Sequence, residues 1–381
     1  MNPVRYRVFK FRGFFRIASL LILSLQASIG VAQSTGSLSG KVIDAKSKEP
    51  VPFATVFLAN TMIGVTAKED GSYNLQNIPA GKYDLTVSSV GYKLTTIPVY
   101  FAGTVNKLDV QLLEDNKLLN EVVIKSKRSD YLSQLRIFKK YFLGETINAG
   151  KCTITNIDEI DFNYDEESKV LTAAATQPIE IENRALGYKV FYLLKEFKVD
   201  FVNNFSELAG IPRFELLTPK DESQERHWTK ERDRAYDGSL NHFMRSLQSR
   251  TLRENSFTIY WHEKLSKERQ KLNMDRGMPF DTASYFFRTN EARLFARKPD
   301  SVVQLKIVYK SEPEEFGFPG KGSNSTDQTS FLKFKRSSLV IHENGYYENP
   351  LDFYLEGYLA WSEKIAELMP WEYEPAPKYI K

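Results

Sequence analysis

The chain has 381 residues, the length of two or three average domains. Apolar residues make up 42% of it and charged residues 26%, which allows real cores and excludes a globally disordered chain. Cys152 is the single cysteine, so an intramolecular disulfide is excluded and stability must come from packing.

The first 32 residues have the order of a secretory leader. Five basic residues precede an apolar run over residues 17–25, and the small residues 30–32 offer a cleavage point before Gln33. The run is too short to span a bilayer comfortably, and the alternative is a short anchor that stays uncleaved. We predict a signal peptide over residues 1–32 and an exported protein in the periplasm or associated with the outer membrane.

The leader also accounts for the basic character of the chain. It holds five of the 52 basic residues and none of the 48 acidic ones, so 47 basic residues face 48 acidic residues in the remainder. The formal charge of +4 therefore gives no support for a nucleic-acid partner.

Short strand patterns separated by turns fill residues 36–115. Tyr83, Leu85 and Val87 alternate with polar residues and are expected on one face of a strand. Asp70-Gly71 lies between two strand patterns and predicts a hairpin, because glycine accepts the positive φ that such turns require. Six or seven short strands with a turn every ~8–12 residues and no helix predict an antiparallel β-sandwich.

The pattern changes after a linker over residues 116–129. Leu135, Phe138 and Phe142 recur at helical spacing, so a helix over 131–147 is expected to open a second domain over residues 130–381. Strand-like segments follow, with further helices predicted over 228–255 and 361–368. Strands and helices are mixed without βαβ alternation, so the fold class is a β-sandwich followed by an α+β domain.

Four segments of the first part resemble a known domain family. They are residues 39–44, 50–58, 70–73 and 79–92. Their order and spacing are similar to those of the carboxypeptidase-like regulatory domain, common at the front of exported Bacteroidetes proteins. The resemblance implies a prealbumin-like, Greek-key sandwich that serves as an accessory or interaction module and performs no chemistry.

The resemblance continues beyond the sandwich. Residues 119–124 are similar to the segment that follows this domain in starch-utilisation-type TonB-dependent transporters, where it can contact TonB. The remaining chain does not resemble a plug and a barrel, so the resemblance implies an accessory to TonB-dependent uptake; the alternative is a plain linker strand. Residues 228–247 and 357–370 resemble a group of exported proteins with the same front domain and no assigned function.

The four histidines do not stand in a zinc-binding pattern. None has Glu three residues later, and His262-Glu263 lacks the second His of a zincin helix. Cys152 has no nearby His and is predicted to be a buried structural thiol. We therefore predict no metal, no cofactor and no enzymatic activity, carboxypeptidase activity included. The alternative is a hydrolase that acts on glycan or peptide through carboxylates that no motif reveals.

One set of side chains in the second domain is a candidate binding site. It consists of Trp228, Arg232, Tyr236, Ser239, His242 and Arg245. Steps of four, four and three residues separate the first four, so a continuous helix would place them on one stripe. Aromatic rings beside a guanidinium group suit a carboxylate, sugar or glycan ligand.

The alternative is that Gly238 breaks this helix, with Asp237 or Ser239 capping a second one. Such a break would split the stripe. The structural interpretation of these residues is a helix packed on the sheet, with Tyr236, Phe243 and Leu247 in the core and Arg232 in a structural ion pair. On either arrangement, the sequence predicts a non-enzymatic envelope protein. Its partner is expected to be an envelope protein or a glycan or peptide ligand, with peripheral association with the outer membrane.

Overall fold

The computed structural model describes residues 35–103, 105–115, 128–263, 278–279, 285–288, 291–296, 303–319 and 326–376. The predicted signal peptide and residues 119–124 lie outside these ranges. The described residues from Thr35 onward belong to one compact unit.

The first part of this unit is a sandwich of two four-stranded sheets. Its strands are β1 (Gly36–Asp44), β2 (Thr55–Leu58), β3 (Gly64–Thr66), β4 (Ser72–Ile78), β5 (Gly81–Ser88), β6 (Thr95–Phe101), β7 (Val105–Lys107) and β8 (Val110–Leu112). One sheet has β1 between β4 and the parallel strands β7 and β8, and the other has the order β3-β2-β5-β6. Tyr83, Leu85 and Val87 are buried in the core, which confirms the predicted alternation.

The turn at Asp70-Gly71 is present, but the predicted hairpin is wrong. Gly71 has φ of +73°, and a Cβ there would lie 2.5 Å from the carbonyl oxygen of Val42. The strands on either side belong to different sheets, because β3 pairs with β2 and β4 pairs with β1. The turn therefore makes a corner between the two layers.

The second part is a six-stranded antiparallel sheet covered by one helix. Its elements are α1 (Arg128–Phe142), β9 (Cys152–Ile154), β10 (Ile160–Asp165), β11 (Val170–Ala175), β12 (Ile179–Asn183), β13 (Tyr188–Asp200) and β14 (Phe205–Leu216). Phe138 and Phe142 of α1 pack into the core of this sheet with Phe162 and Phe197. The long strands β13 and β14 pair over their whole length and end in a turn at residues 201–204.

The third part has a separate core. Its elements are α2 (Glu222–Tyr236), α3 (Leu240–Gln248), β15 (Phe257–Glu263), β16 (Met278–Pro279), β17 (Tyr285–Arg288), β18 (Glu291–Phe295), β19 (Val303–Tyr309), β20 (Gln328–Phe334), β21 (Ser338–His342), β22 (Phe353–Gly357) and α4 (Tyr358–Ser362). Phe243 and Leu247 of α3 pack with Trp261 and Leu305 of the sheet β16-β15-β19-β20-β22. The mixed fold class is confirmed, although the α+β region has two cores.

The bounds of all three predicted helices differ from the structure. The helix predicted over 228–255 is broken into α2 and α3, because Gly238 has φ of +76° and turns the chain. The helix predicted over 361–368 is α4, which begins at Tyr358 and ends at Ser362. The helix expected to open the second region begins at Arg128 and ends at Phe142.

Candidate functional site

The first three residues of the predicted binding site lie buried on one face of α2. The Trp228 Nε1–H donates a hydrogen bond of 2.9 Å to the carbonyl oxygen of Arg184, and Arg232 Nε donates one of 2.7 Å to that of Leu186. Arg232 also forms an ion pair of 3.1 Å with Glu225. Trp228 and Arg232 are 3% and 7% exposed, so this helix packs on the turn before β13.

The other three residues lie at the corner between α2 and α3. Ser239 is the N-cap of α3, where its hydroxyl accepts a hydrogen bond from the backbone N–H of His242. The His242 ring stacks on Tyr236 with centroids 4.9 Å apart. Arg245 donates a hydrogen bond of 2.9 Å to the carbonyl oxygen of Tyr373.

The six side chains therefore make structural contacts: Trp228 and Arg232 hold α2 on the turn before β13, and the others stabilise the corner and its contact with the C-terminal segment. Trp228, Tyr236 and His242 are buried, because their apolar surface packs into the protein instead of facing water. The accessible aromatic platform that the sequence pattern suggested is not formed. The structure has the alternative arrangement, with a break at Gly238, a cap at Ser239 and Arg232 in an ion pair.

A polar cleft lies next to this corner, with about 580 Å³ of empty space, part of it open to solvent. Its lining includes Asn148, Glu315, Glu363 and Glu367. The Glu363 carboxylate accepts a hydrogen bond of 2.9 Å from the backbone N–H of Leu240. The Glu367 carboxylate accepts one of 2.9 Å from the side-chain amide of Asn148.

Both carboxyl groups of the cleft, Glu363 and Glu367, have a raised pKa. Burial raises the pKa of Glu363 and that of Glu367 to about 7, and the charge of Glu315 adds to the effect at Glu367. A carboxyl with such a pKa can give or take a proton near neutral pH. Sequence reasoning missed this pair, although its spacing of four residues would have placed both on one face of the predicted helix.

The Cys152 thiol is weakly acidic. Burial raises the pKa of the Cys152 thiol to about 12, as expected of a structural thiol. In the described part of the chain, no group of three or more His, Cys, Asp or Glu residues could hold a metal ion. No helix there is long and apolar enough to cross a membrane.

One end of the sandwich is fixed to the rest of the protein. We call it the docked end. The Asn344 amide donates a hydrogen bond of 2.7 Å to the carbonyl oxygen of Lys82, and the Tyr346 hydroxyl donates one of 3.1 Å to Asp84. On the neighbouring β2–β3 loop, the Asn60 N–H donates to the carbonyl oxygen of Pro212 on β14.

The opposite end of the sandwich carries exposed apolar side chains. We call it the free end, formed by Phe53, Val90, Leu94 and Leu113, which are 67%, 82%, 36% and 60% exposed. Phe53 and Val90 flank the paired residues Thr55, at the start of β2, and Ser88, at the end of β5. The backbone of Leu113 accepts a hydrogen bond of 2.8 Å from the N–H of Lys93, which places Leu113 beside Leu94.

Comparison with protein families identifies this part of the chain. Residues 38–124 match the family described as CarboxypepD_reg-like domain. The front of the chain is a carboxypeptidase-like regulatory domain. The match begins in β1, includes all eight sandwich strands and extends past the predicted boundary at residue 115.

Solved structures with similar regions share little with the chain as a whole. The group B streptococcus pilus 2b backbone protein is 17% identical, with 23% of this chain and 43% of that chain covered and a TM-score of 0.20. The 3-chlorocatechol 1,2-dioxygenase of Rhodococcus opacus 1CP is 11% identical, with 22% and 62% covered and a TM-score of 0.19. The major pilin subunit BcpA of Bacillus cereus is 22% identical, with 21% and 30% covered and a TM-score of 0.17.

The matched region thus spans between 30% and 62% of the length of these three structures. No curated protein sequence matches the chain.

Proposed function

We propose that the protein is a non-enzymatic accessory of the cell envelope that binds a protein partner through the free end of its regulatory domain. The observation that carries this proposal is the contrast between the two ends of the sandwich. The docked end is bound to the rest of the protein, whereas the free end exposes Phe53, Val90 and Leu113 to solvent. Clustered exposed apolar side chains typically mark an interaction surface.

The energetics favour a protein partner at this end. Burying a large apolar side chain contributes about 1.5–3 kcal/mol, so the free end can supply a substantial part of a binding free energy. The docked end is fixed to the rest of the protein, so the domain loses little conformational freedom when it binds. This smaller entropy cost also favours binding. The predicted leader implies export, and an exported protein could contact envelope proteins through this surface.

Site-specific photo-cross-linking in the source cells tests this function. A photoreactive amino acid replaces Val90 at the free end, and in a control protein it replaces Leu216, which is 59% exposed at the end of β14. We expect the photoreactive residue at position 90 to cross-link one discrete envelope protein. The same residue at position 216 should not cross-link that protein. The same cross-linked protein from both positions would contradict the proposal.

A hydrolase is the second candidate, and the carboxyl pair of the polar cleft favours it. Glycoside hydrolysis uses two carboxyls, one of which has a raised pKa and acts as the acid, and here both Glu363 and Glu367 have a raised pKa. Against this, both groups have structural hydrogen bonds, Glu363 to Leu240 and Glu367 to Asn148.

Activity measurements separate the two candidates. The purified protein is incubated with envelope glycans and peptides, and released reducing ends and amines are measured for the wild type, Glu363→Gln and Glu367→Gln. The accessory function predicts no turnover for any of them. Turnover by the wild type that is lost in both variants would establish the hydrolase.

A further inference from the structure

We propose that the protein has a second interaction surface, which binds an extended segment of a partner polypeptide carrying an apolar side chain flanked by Lys or Arg. This surface is the groove between α1, the edge strand β10 and the turn that joins β13 to β14. We call it the side groove. It is separate from the free end and does not depend on the proposed function.

The side groove is large enough for a peptide, and apolar side chains form part of its lining. It has about 1170 Å³ of empty space, part of it open to solvent, and its lining includes Ile137, Phe162, Tyr164 and Phe201. The Phe201 ring is 43% exposed and meets Tyr164 edge-on with centroids 6.3 Å apart. A partner's apolar side chain seated between these rings would bury apolar surface on both sides.

The neighbouring strand offers backbone hydrogen bonds to such a segment. Among the described residues, β10 pairs with β11 alone and ends the order of its sheet. The outer side of an edge strand can accept an added strand from another polypeptide. A partner segment in extended conformation would therefore gain main-chain hydrogen bonds to β10 while its side chain enters the groove.

The charge around the side groove selects the partner. The lining of the groove includes the acidic residues Asp130 and Glu166 and no basic residue. Residues 158–167, which contain β10, have six acidic side chains and no basic one. Lys169 forms an ion pair of 2.8 Å with Glu166. The other five acidic charges of this segment are not compensated by Lys169. The charges of Asp158 and Asp161, together with burial, raise the pKa of Tyr131 on α1, so their field reaches the helix beside the groove.

This acidic field also argues against other occupants. An anionic lipid surface would be repelled by the acidic strand. Two copies of the chain paired through β10 would bring acidic residues together across the new ladder, which is destabilising. A basic peptide is attracted by the same field, and its association should weaken with salt.

Peptide titration with the purified protein tests this proposal. The probe is a fluorescein-labelled peptide of sequence Lys-Val-Lys-Phe-Lys-Val-Lys, and its counterpart has Glu at each Lys position. By fluorescence anisotropy at low salt, we expect a Kd of about 100 μM or tighter for the basic peptide and no saturation for the acidic one. The basic peptide should bind at least about tenfold more weakly to Phe201→Ser and to the double variant Asp158→Asn/Asp161→Asn.

The matched control is Leu216→Ser, at the opposite end of the same hairpin, which should bind like the wild type. Circular dichroism of each variant verifies the fold. Equal binding of both peptides, no binding, or unchanged binding by Phe201→Ser would overturn the proposal. Phe201-dependent binding to vesicles containing phosphatidylglycerol, or Phe201-dependent dimerisation, would also overturn it in favour of a membrane or a second copy.

Discussion

The backbone N–H of Trp371 donates a hydrogen bond of 2.8 Å to the carbonyl oxygen of Asn60, in the β2–β3 loop of the regulatory domain. The indole ring of Trp371 packs against the core of the sandwich, and Ile365, a few residues earlier, belongs to the core beneath α1. The segment after α4 therefore fastens the regulatory domain to the six-stranded sheet.

Replacing Trp371 with Ala should loosen this attachment. The ring is partly exposed, so we expect a loss of about 2 kcal/mol in the free energy of unfolding, measured by urea denaturation. Limited proteolysis should also cleave the docked end faster. Trp371→Phe, which keeps an aromatic ring, should lose less than half as much. Unchanged unfolding and proteolysis in the Ala variant would show that this contact does not hold the domain.

Gly238→Ala should destabilise the corner between α2 and α3. The residue has φ of +76°, and a Cβ would lie 2.7 Å from both the Gln328 side-chain oxygen and the Tyr309 ring. A strained backbone and a close contact together cost about 1–3 kcal/mol. Gly150→Ala is the control, because a Cβ there meets nothing within 4 Å. Similar melting temperatures for the two variants would contradict the assignment of strain to Gly238.

Stability should fall as the pH rises from about 5 to 8. Burial raises the pKa of Glu363, Glu367 and Glu372 from 4.5 to about 7. Between these values the unfolded chain has lost the protons that the folded protein still holds, so stability present below pH 4.5 is lost as the pH rises through 7. Because the side chains are partly exposed, we expect on the order of 1 kcal/mol for each.

The pH dependence is checked by thermal unfolding of the wild type and Glu372→Gln. The variant should show a flatter dependence between pH 5 and 8, since one of the three groups no longer titrates. Burial lowers the pKa of His342 and works in the opposite direction below pH 6.5, but it affects both proteins equally. Parallel curves for the two proteins would contradict the raised pKa of Glu372.

The sequence was sufficient wherever a local pattern decides the structure. The alternation of Tyr83, Leu85 and Val87 predicted a strand face, and the helical spacing of Phe138 and Phe142 predicted α1, because each pattern reflects burial of one side of one element. The turn at Gly71 was also predicted, because it depends on two neighbouring residues. The strands it joins were not predictable, because the partner of β4 is β1, whose pairing depends on the fold of the whole sandwich.

The candidate sites show the same limit. Trp228 and Arg232 were correctly placed on one stripe, but whether that stripe faces solvent depends on the turn before β13. The raised pKa of Glu367 depends on its burial and on the charge of Glu315, which lies far away in the chain. The free end could not be predicted from the sequence, because it is defined by the exposure of loop residues, and that exposure depends on the folded structure.

The central claim is that the free end of the regulatory domain binds a protein partner. The most direct measurement is the affinity of the cross-linked partner, once purified, for the wild type and for the triple variant Phe53→Ser/Val90→Ser/Leu113→Ser by titration calorimetry. These three side chains are exposed, so the variant should unfold at a similar urea concentration. We predict a Kd at least about tenfold weaker for the triple variant. An unchanged Kd would contradict the claim.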